Sequence, residues 1–389
     1  MSWKVTRGWV VGAATVGLVA GCADSSGPDR ERPLDPQLVE AGREIFRFDT
    51  FGDEPWWTDT LRLHEAVQEV TPVTALAVGL KVDSDAVPAA VLASADLNDA
   101  ATTVALLRLN AVVGVKAEVD EAGAIVRVGI TCALCHSTVD DAIAPGIGRR
   151  LDGWPNEDLN VGAIVALSPV LTDDMKATLE SWGAGKYDAY WNQDATSDPV
   201  ILPPAYGLRS VALETYTGEG PVSYWNAYVA VTQMHGQGSF SDARLGISIE
   251  REPDLVTSKL PALAEYQFSL EAPAAPAGSY DVAAAGRGEA VFRGAGECAA
   301  CHDPSADFTD AGERLHAAAE TGMNPERSQR GTTGLYRTTP LRGLWHREAF
   351  FHDGSASSLA AVVDHYDETL ELNLTASQKA DLVEYLKSI

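Results

Sequence analysis

Cysteine is scarce, with five residues in 389. That excludes a fold stapled by many disulfides, the usual device of small exported domains. Basic residues are also short: 29 Lys and Arg against 55 Asp and Glu, a formal net charge of −26. Such a field repels phosphate backbones and excludes nucleic acid as a partner, while favouring basic ones. Eight histidines and four methionines are few enough to be weighed one by one as metal ligands. After residue 20 no uncharged apolar run approaches the roughly 20 residues a spanning helix needs. Apolar content, at 46%, is ordinary and can fill the cores of two or three domains.

The chain opens with "MSWKVTRGWVVGAATVGLVAGC". Lys4 and Arg7 precede an apolar run over 9–20, and small residues follow, which is the pattern of a secretory signal over 1–21. The ending "VAGC" resembles a bacterial lipobox, so Cys22 is expected to become a lipidated first residue; a plain signal with an incidental cysteine is the alternative. The polar, Pro-rich segment 22–36 is expected to be a flexible tether. The protein is therefore expected to be exported, periplasmic or at the cell surface, and held to the membrane by lipid alone.

The other four cysteines fall in two copies of one pattern, Cys132-Ala-Leu-Cys135-His136 and Cys298-Ala-Ala-Cys301-His302. Each pair could close a short disulfide, or both could hold one zinc, although the pairs lie far apart for a zinc knuckle. Neither reading explains the histidine that follows each pair at once. CxxCH is the attachment pattern of c-type haem: two thioethers to the vinyls, and the adjacent histidine as proximal iron ligand. Two covalently bound haems c are expected, on His136 and on His302.

The expected fold is mainly α, with two cytochrome c-like haem domains. The first, 37–270, is enlarged by insertions; the second is 281–389; the Pro- and Ala-rich segment 271–280 is the linker. Residues 37–48 have helical spacing, with Leu38, Ala41, Ile45 and Phe46 on one face, and 281–292 is a second such helix. Gly42-Arg43 is aligned with Gly286-Arg287. A β-hairpin is expected around 113–130, across "DEAG". A weaker repeat sets 204–220 on 340–356, with Gly207 on Gly343, Tyr216 on His352 and Gly218 on Gly354. Near the end, Thr375 and Gln378 form a capping box, followed by Leu382, Val383 and Leu386 on one helix face.

"GRGEAVFRGAGECAACH", "YRTTPLRGLW" and "AFFHDGSASSLAAVVDHYD" together resemble the bacterial di-haem cytochrome c peroxidases and the di-haem enzyme of methylamine utilisation. The di-haem rubber oxygenases are remoter relatives. The likeness is good over roughly 280–389 and thinner before it. It implies chemistry at the first haem, on His136, with the second haem passing electrons. It also implies a small oxidant such as hydrogen peroxide and a small redox-protein donor. Tyr216 falls where the peroxidases place a tryptophan between the haems. His352 is the candidate distal ligand of the second haem; a histidine bonded to its turn or to a haem propionate is the alternative. Tyr366 and Met323 are further candidates for that position. At the first haem, His64 and the pair Met234-His235 are candidate distal groups. Arg149, Arg150, Arg337 and Arg342 are candidate partners for haem propionates at either site. A di-haem electron carrier without turnover and a rubber-oxygenase-like dioxygenase remain as other functions.

Overall fold

The computed structural model describes residues 32–389. The signal segment, Cys22 and most of the tether lie outside the described residues. The described chain is mainly helical, with five two-stranded sheets. The expected hairpin is present: Val115–Val119 pairs antiparallel with Ile125–Ile130.

Two pairs of crossing helices organise the molecule. In the first, Pro36–Phe48 packs against Leu260–Ser269; in the second, Val282–Arg293 packs against Ala376–Lys387. The crossings are built alike. A Cβ on Gly42 would overlap the carbonyl oxygen of Ala262, and one on Gly288 that of Asp381. Four residues on, one turn along the same face, Phe46 and Phe292 are fully buried. Each meets a tyrosine of the crossing helix edge to face: Phe46 on Tyr266 at 5.5 Å, Phe292 on Tyr385 at 5.2 Å. Asp35 and Asp281 cap the first helix of each pair. The backbone N–H of each cap donates to a glutamate on the crossing helix, Glu265 at 2.7 Å and Glu384 at 2.6 Å.

These contacts correct two sequence expectations. Gly42 matches Gly288, not Gly286, around which the space is open. The buried face of the first helix is Gly42 and Phe46; Leu38 and Ala41 are exposed. Apolar periodicity weighs size, whereas the closest helix approach requires the residue with no side chain.

The loop repeat is also real in the backbone. Gly207 and Gly343, Thr215 and Phe351, and Gly218 and Gly354 all have positive φ, between 61° and 73°. The Glu214 amide donates to Gly220 at 2.8 Å, and the Phe350 amide to Ala356 at 2.9 Å. The two copies exchange equivalent bonds: the Ile201 amide donates to the His352 carbonyl at 2.8 Å, and the Arg337 amide to the Tyr216 carbonyl at 2.9 Å. Such reciprocal contacts are those of a two-fold axis, here within one chain. The matched residues Tyr216 and His352 face each other across it, ring centroids 6.3 Å apart.

Candidate functional site

The first motif begins two residues after the hairpin and turns through the short helix Ala133–His136. The following loop holds it from behind: the Gly153 amide donates to the His136 carbonyl at 2.8 Å, and the Asn156 amide to the Cys135 carbonyl at 2.9 Å. Cys132 packs against the core that contains Phe46, Tyr228 and Met234, and Cys135 against Leu134, Leu159 and Leu202. Burial pushes both thiols up to about 12, so at neutral pH they are uncharged. The second motif follows its helix through a tight turn, Cys298–Ala300. Burial raises Cys298 to about 11 and raises Cys301 as well.

The two histidines share one arrangement. His136 Nδ1 lies 3.1 Å from the Pro203 carbonyl, and His302 Nδ1 lies 3.0 Å from that of Phe308. A carbonyl only accepts, so each Nδ1 carries the proton and each Nε2 presents a lone pair. Burial lowers both pKa values and keeps the rings neutral. A neutral imidazole, oriented through Nδ1 and bare at Nε2, is the form that ligates a metal. No disulfide joins any of the four thiols. A zinc shared by the two CxxC pairs is not assembled among the described residues. The one cluster of three possible donors there is Cys301, Asp310 and His316.

The surroundings of the motifs differ. A cavity of about 350 Å³ opens beside the second and is lined by Cys298, Cys301 and His302. His352, Tyr366 and Met323, the three candidate ligands for the second haem, also line it. His352 is buried; its Nδ1 has no hydrogen-bond partner, and its Nε2 is 3.4 Å from the Tyr336 hydroxyl. Burial lowers its pKa. Tyr366 lies on the helix Leu359–Thr369, and burial raises its phenol to about 12, with the Cys301 and Cys298 thiols adding to the rise. Arg337 also lines the cavity and has a buried Nε without a hydrogen-bond partner. Tyr216, Ile201 and Pro203 close the cavity from the first half. Thus Pro203 touches both sites, accepting from His136 on one side and walling the His302 cavity on the other.

Other candidates fall elsewhere. His64 sits on Leu63–Val67, and its Nδ1 is buried without a partner; it does not line the cavity. His235 stacks on Trp56 at 3.6 Å, and burial lowers it to about 4. Met234 is buried in the core against which Cys132 packs. Arg150 pairs with Asp83 at 3.1 Å, and Arg149, largely exposed, with Asp140 at 3.1 Å. Arg342 pairs with Asp307. Sequence reasoning missed Asp53. It is fully buried, accepts from Trp57 Nε1 at 2.9 Å and from the Ile130 amide at 3.2 Å, and is raised to about 9 by burial. A lone Asp in "FGDEPWW" carries no signal of its burial.

No family model matches the chain. It is 29% identical over 150 residues to "Methylamine utilization protein MauG" of Methylorubrum extorquens, covering 33% of this chain and 42% of that protein. The family resemblance seen in the sequence holds. The match spans less than half of that relative's length. Among solved structures, the chain is similar to a MauG-like protein associated with microbial copper homeostasis: 19% identity, 50% of this chain and 74% of that one, TM-score 0.35. It is also similar to the hydrazine synthase of Kuenenia stuttgartiensis: 20% identity, 49% and 73% covered, TM-score 0.34. At these scores the two likenesses are partial and assign no overall fold.

Proposed function

We propose that this chain is an exported di-haem c-type cytochrome oxidoreductase with peroxidase-like activity. One haem would be held at Cys132, Cys135 and His136, the other at Cys298, Cys301 and His302. The observation that carries the reading is the repeated histidine geometry: Nδ1 tied to a backbone carbonyl and Nε2 bare, directly after a reduced CxxC. Disulfide and zinc readings require neither. Bound there, each haem would supply an iron able to change oxidation state and to take a small sixth ligand.

The protein's contribution is to make the two sites unequal. At the His302 site His352 is the proposed sixth ligand, buried with an unpartnered ring nitrogen and lining the same cavity. A second reading is Tyr366, which lines the same cavity as Cys298, Cys301 and His302. At the His136 site the matching helix is Val222–Tyr228, continued by Val229–Gln233. Counted from the helix starts, Tyr366 matches Val229; counted from the loop register, it matches Ala230. Neither can ligate a metal. This supports the His136 site as the one with a free sixth position, where peroxide would be reduced, and the His302 site as the electron store. Reduction of hydrogen peroxide to two waters consumes two electrons and two protons, which suits two one-electron centres. The net charge of −26 suits a basic redox-protein donor. The proposal includes lipid anchoring through Cys22 and the division into 37–270 and 281–389.

The test is the optical and EPR spectra of the purified protein, oxidised and half-reduced, with and without cyanide. The reading expects two haems c per chain, one low-spin and one that takes cyanide. His352→Ala should turn the low-spin centre high-spin; if only Tyr366→Phe does so, Tyr366 is the ligand. Two low-spin centres that refuse cyanide in every redox state would make the protein an electron carrier.

A further inference from the structure

A line of aromatic rings leads from the first motif to the surface. Tyr187 packs in the same cluster as Cys135. Its ring meets Trp182 edge to face, centroids 5.6 Å apart, and Trp182 meets Trp191 in the same way at 5.7 Å. Trp182 is buried, whereas Trp191 is half-exposed, beside the exposed Asn192, Gln193 and Asp194. Both polar atoms of the inner rings are satisfied: the Tyr187 hydroxyl donates to Gln233 Oε1 at 2.8 Å, and Trp182 Nε1 to Ser197 Oγ at 3.0 Å. Gln233 ends a π-helical turn, Val229–Gln233, and such turns concentrate at functional places. Packing of the hydrophobic core needs three large rings, but it does not need them in single file from a motif cysteine to solvent.

We propose that Tyr187, Trp182 and Trp191 form an electron path between the His136 site and the protein surface. The proposal rests on the haem reading above and adds a route and an entry point to it. Each passage moves one electron inward from an external one-electron donor at Trp191. The donor is oxidised by one electron and the His136 site reduced by one; no bond forms or breaks. Electron transfer falls off steeply with distance, and aromatic rings in contact shorten each step. The inner phenol and indole keep their protons on Gln233 and Ser197, so no proton has to reach solvent. The path lets the buried site be reduced by a donor too large to enter it. At the entry point Asp194 is paired with Arg330 at 2.8 Å, so the rim beside Trp191 is polar and locally charge-balanced.

The test uses the haem-loaded full chain, treated with hydrogen peroxide and no donor, then digested and mapped by mass spectrometry for oxidised side chains. Without a donor, oxidising equivalents should leave along the same rings, and oxygen should be added chiefly at Trp191. In Trp182→Phe that oxidation should be largely lost, while haem content and the peroxide-induced change in the optical spectrum stay as in the parent. Trp191→Phe, a substitution near the surface, should move the damage back to Trp182 and Tyr187. Equal oxidation of Trp191 in parent and Trp182→Phe would overturn the path. So would damage centred instead on Trp154 and Trp345, a separate pair of rings in edge-to-face contact at 5.9 Å. A protein that carries the first haem and responds to peroxide, yet leaves Trp191 intact, refutes the path alone. A protein with no haem on Cys132 and Cys135 refutes the haem reading, and the path with it.

Discussion

The two halves share a frame and differ in what they leave open. Each has a Gly-and-Phe helix crossing a Glu-Tyr helix, and each has the same positive-φ loop after its CxxCH. Yet the second motif faces a cavity of about 350 Å³, while the cysteines of the first pack against two hydrophobic clusters. At the matched loop position one half has His352 and the other Tyr216. One scaffold thus gives its two motifs different surroundings, and both matched side chains, Tyr216 and His352, line the cavity beside His302.

The largest test of this equivalence is to remove one motif at a time. Replacing Cys298 and Cys301 by alanine should leave one haem per chain by the alkaline pyridine spectrum, and replacing Cys132 and Cys135 should leave the other. A chain that loses both haems from either change would show that the halves do not assemble independently. A parent protein with no haem would remove the basis of the comparison.

The next test strikes the shared frame. Gly42→Ala and Gly288→Ala each place a methyl group against a backbone carbonyl of the crossing helix. Overpacking of this kind costs about 1–3 kcal/mol, read as a lower midpoint in denaturant unfolding. Gly286→Ala is the control; open space and a better helix former should make it neutral or mildly stabilising. If Gly286→Ala proves as damaging as Gly288→Ala, Gly42 and Gly288 are not equivalent and the two crossings do not share one register.

That register shows what a sequence can and cannot convey. Adjacency writes the CxxCH histidines, the hairpin and the Thr375 cap into short stretches, and all are legible. The helix crossing is different. "LAEY" at 263–266 and "LVEY" at 382–385 are visibly alike, but nothing local says that Glu265 reaches back to Asp35 across the whole first half. The cavity is not legible either, because Ile201, Pro203 and Tyr216 reach it from the other half. Nor is the burial of Asp53, which depends on how the hairpin lies over "FGDEPWW".

Asp53 sharpens the contrast of dry and open surroundings. Its folded-state pKa, about 9, lies above the ordinary 3.8, so between these values the folded protein holds a proton that the unfolded chain has lost. Stability should then fall as pH rises through that window, by at most about 1.4 kcal/mol per pH unit. Asp53→Asn keeps an oxygen that can accept from Trp57 and Ile130 and removes the titration. Chemical denaturation between pH 5 and about pH 9 should show a flatter profile for this variant. An unchanged slope would mean that Asp53 is ionised in the folded protein and its surroundings are wetter than the packing indicates.

The smallest effect concerns how the crossing helices begin. Ala376–Lys387 opens on a capping box: Thr375 Oγ1 accepts from the Gln378 amide at 3.3 Å, and the Gln378 side chain accepts from the Thr375 amide at 2.9 Å. Its counterpart Leu260–Ser269 has no side-chain cap; Pro261 sits in its first turn, where a missing N–H costs no helical bond. The chain enters that helix directly from the turn Thr257–Lys259, which orders its start. The second helix follows a loop and relies on its own side chains. Thr375→Ala should therefore cost about 1 kcal/mol, seen as faster amide exchange over the first turn of 376–387 and a slightly lower unfolding midpoint. Thr257→Ala, just before the uncapped helix, should leave exchange in the Leu260–Ser269 helix unchanged. If both substitutions loosen their helices alike, the two halves start their crossing helices in the same way and the asymmetry lies only around the motifs.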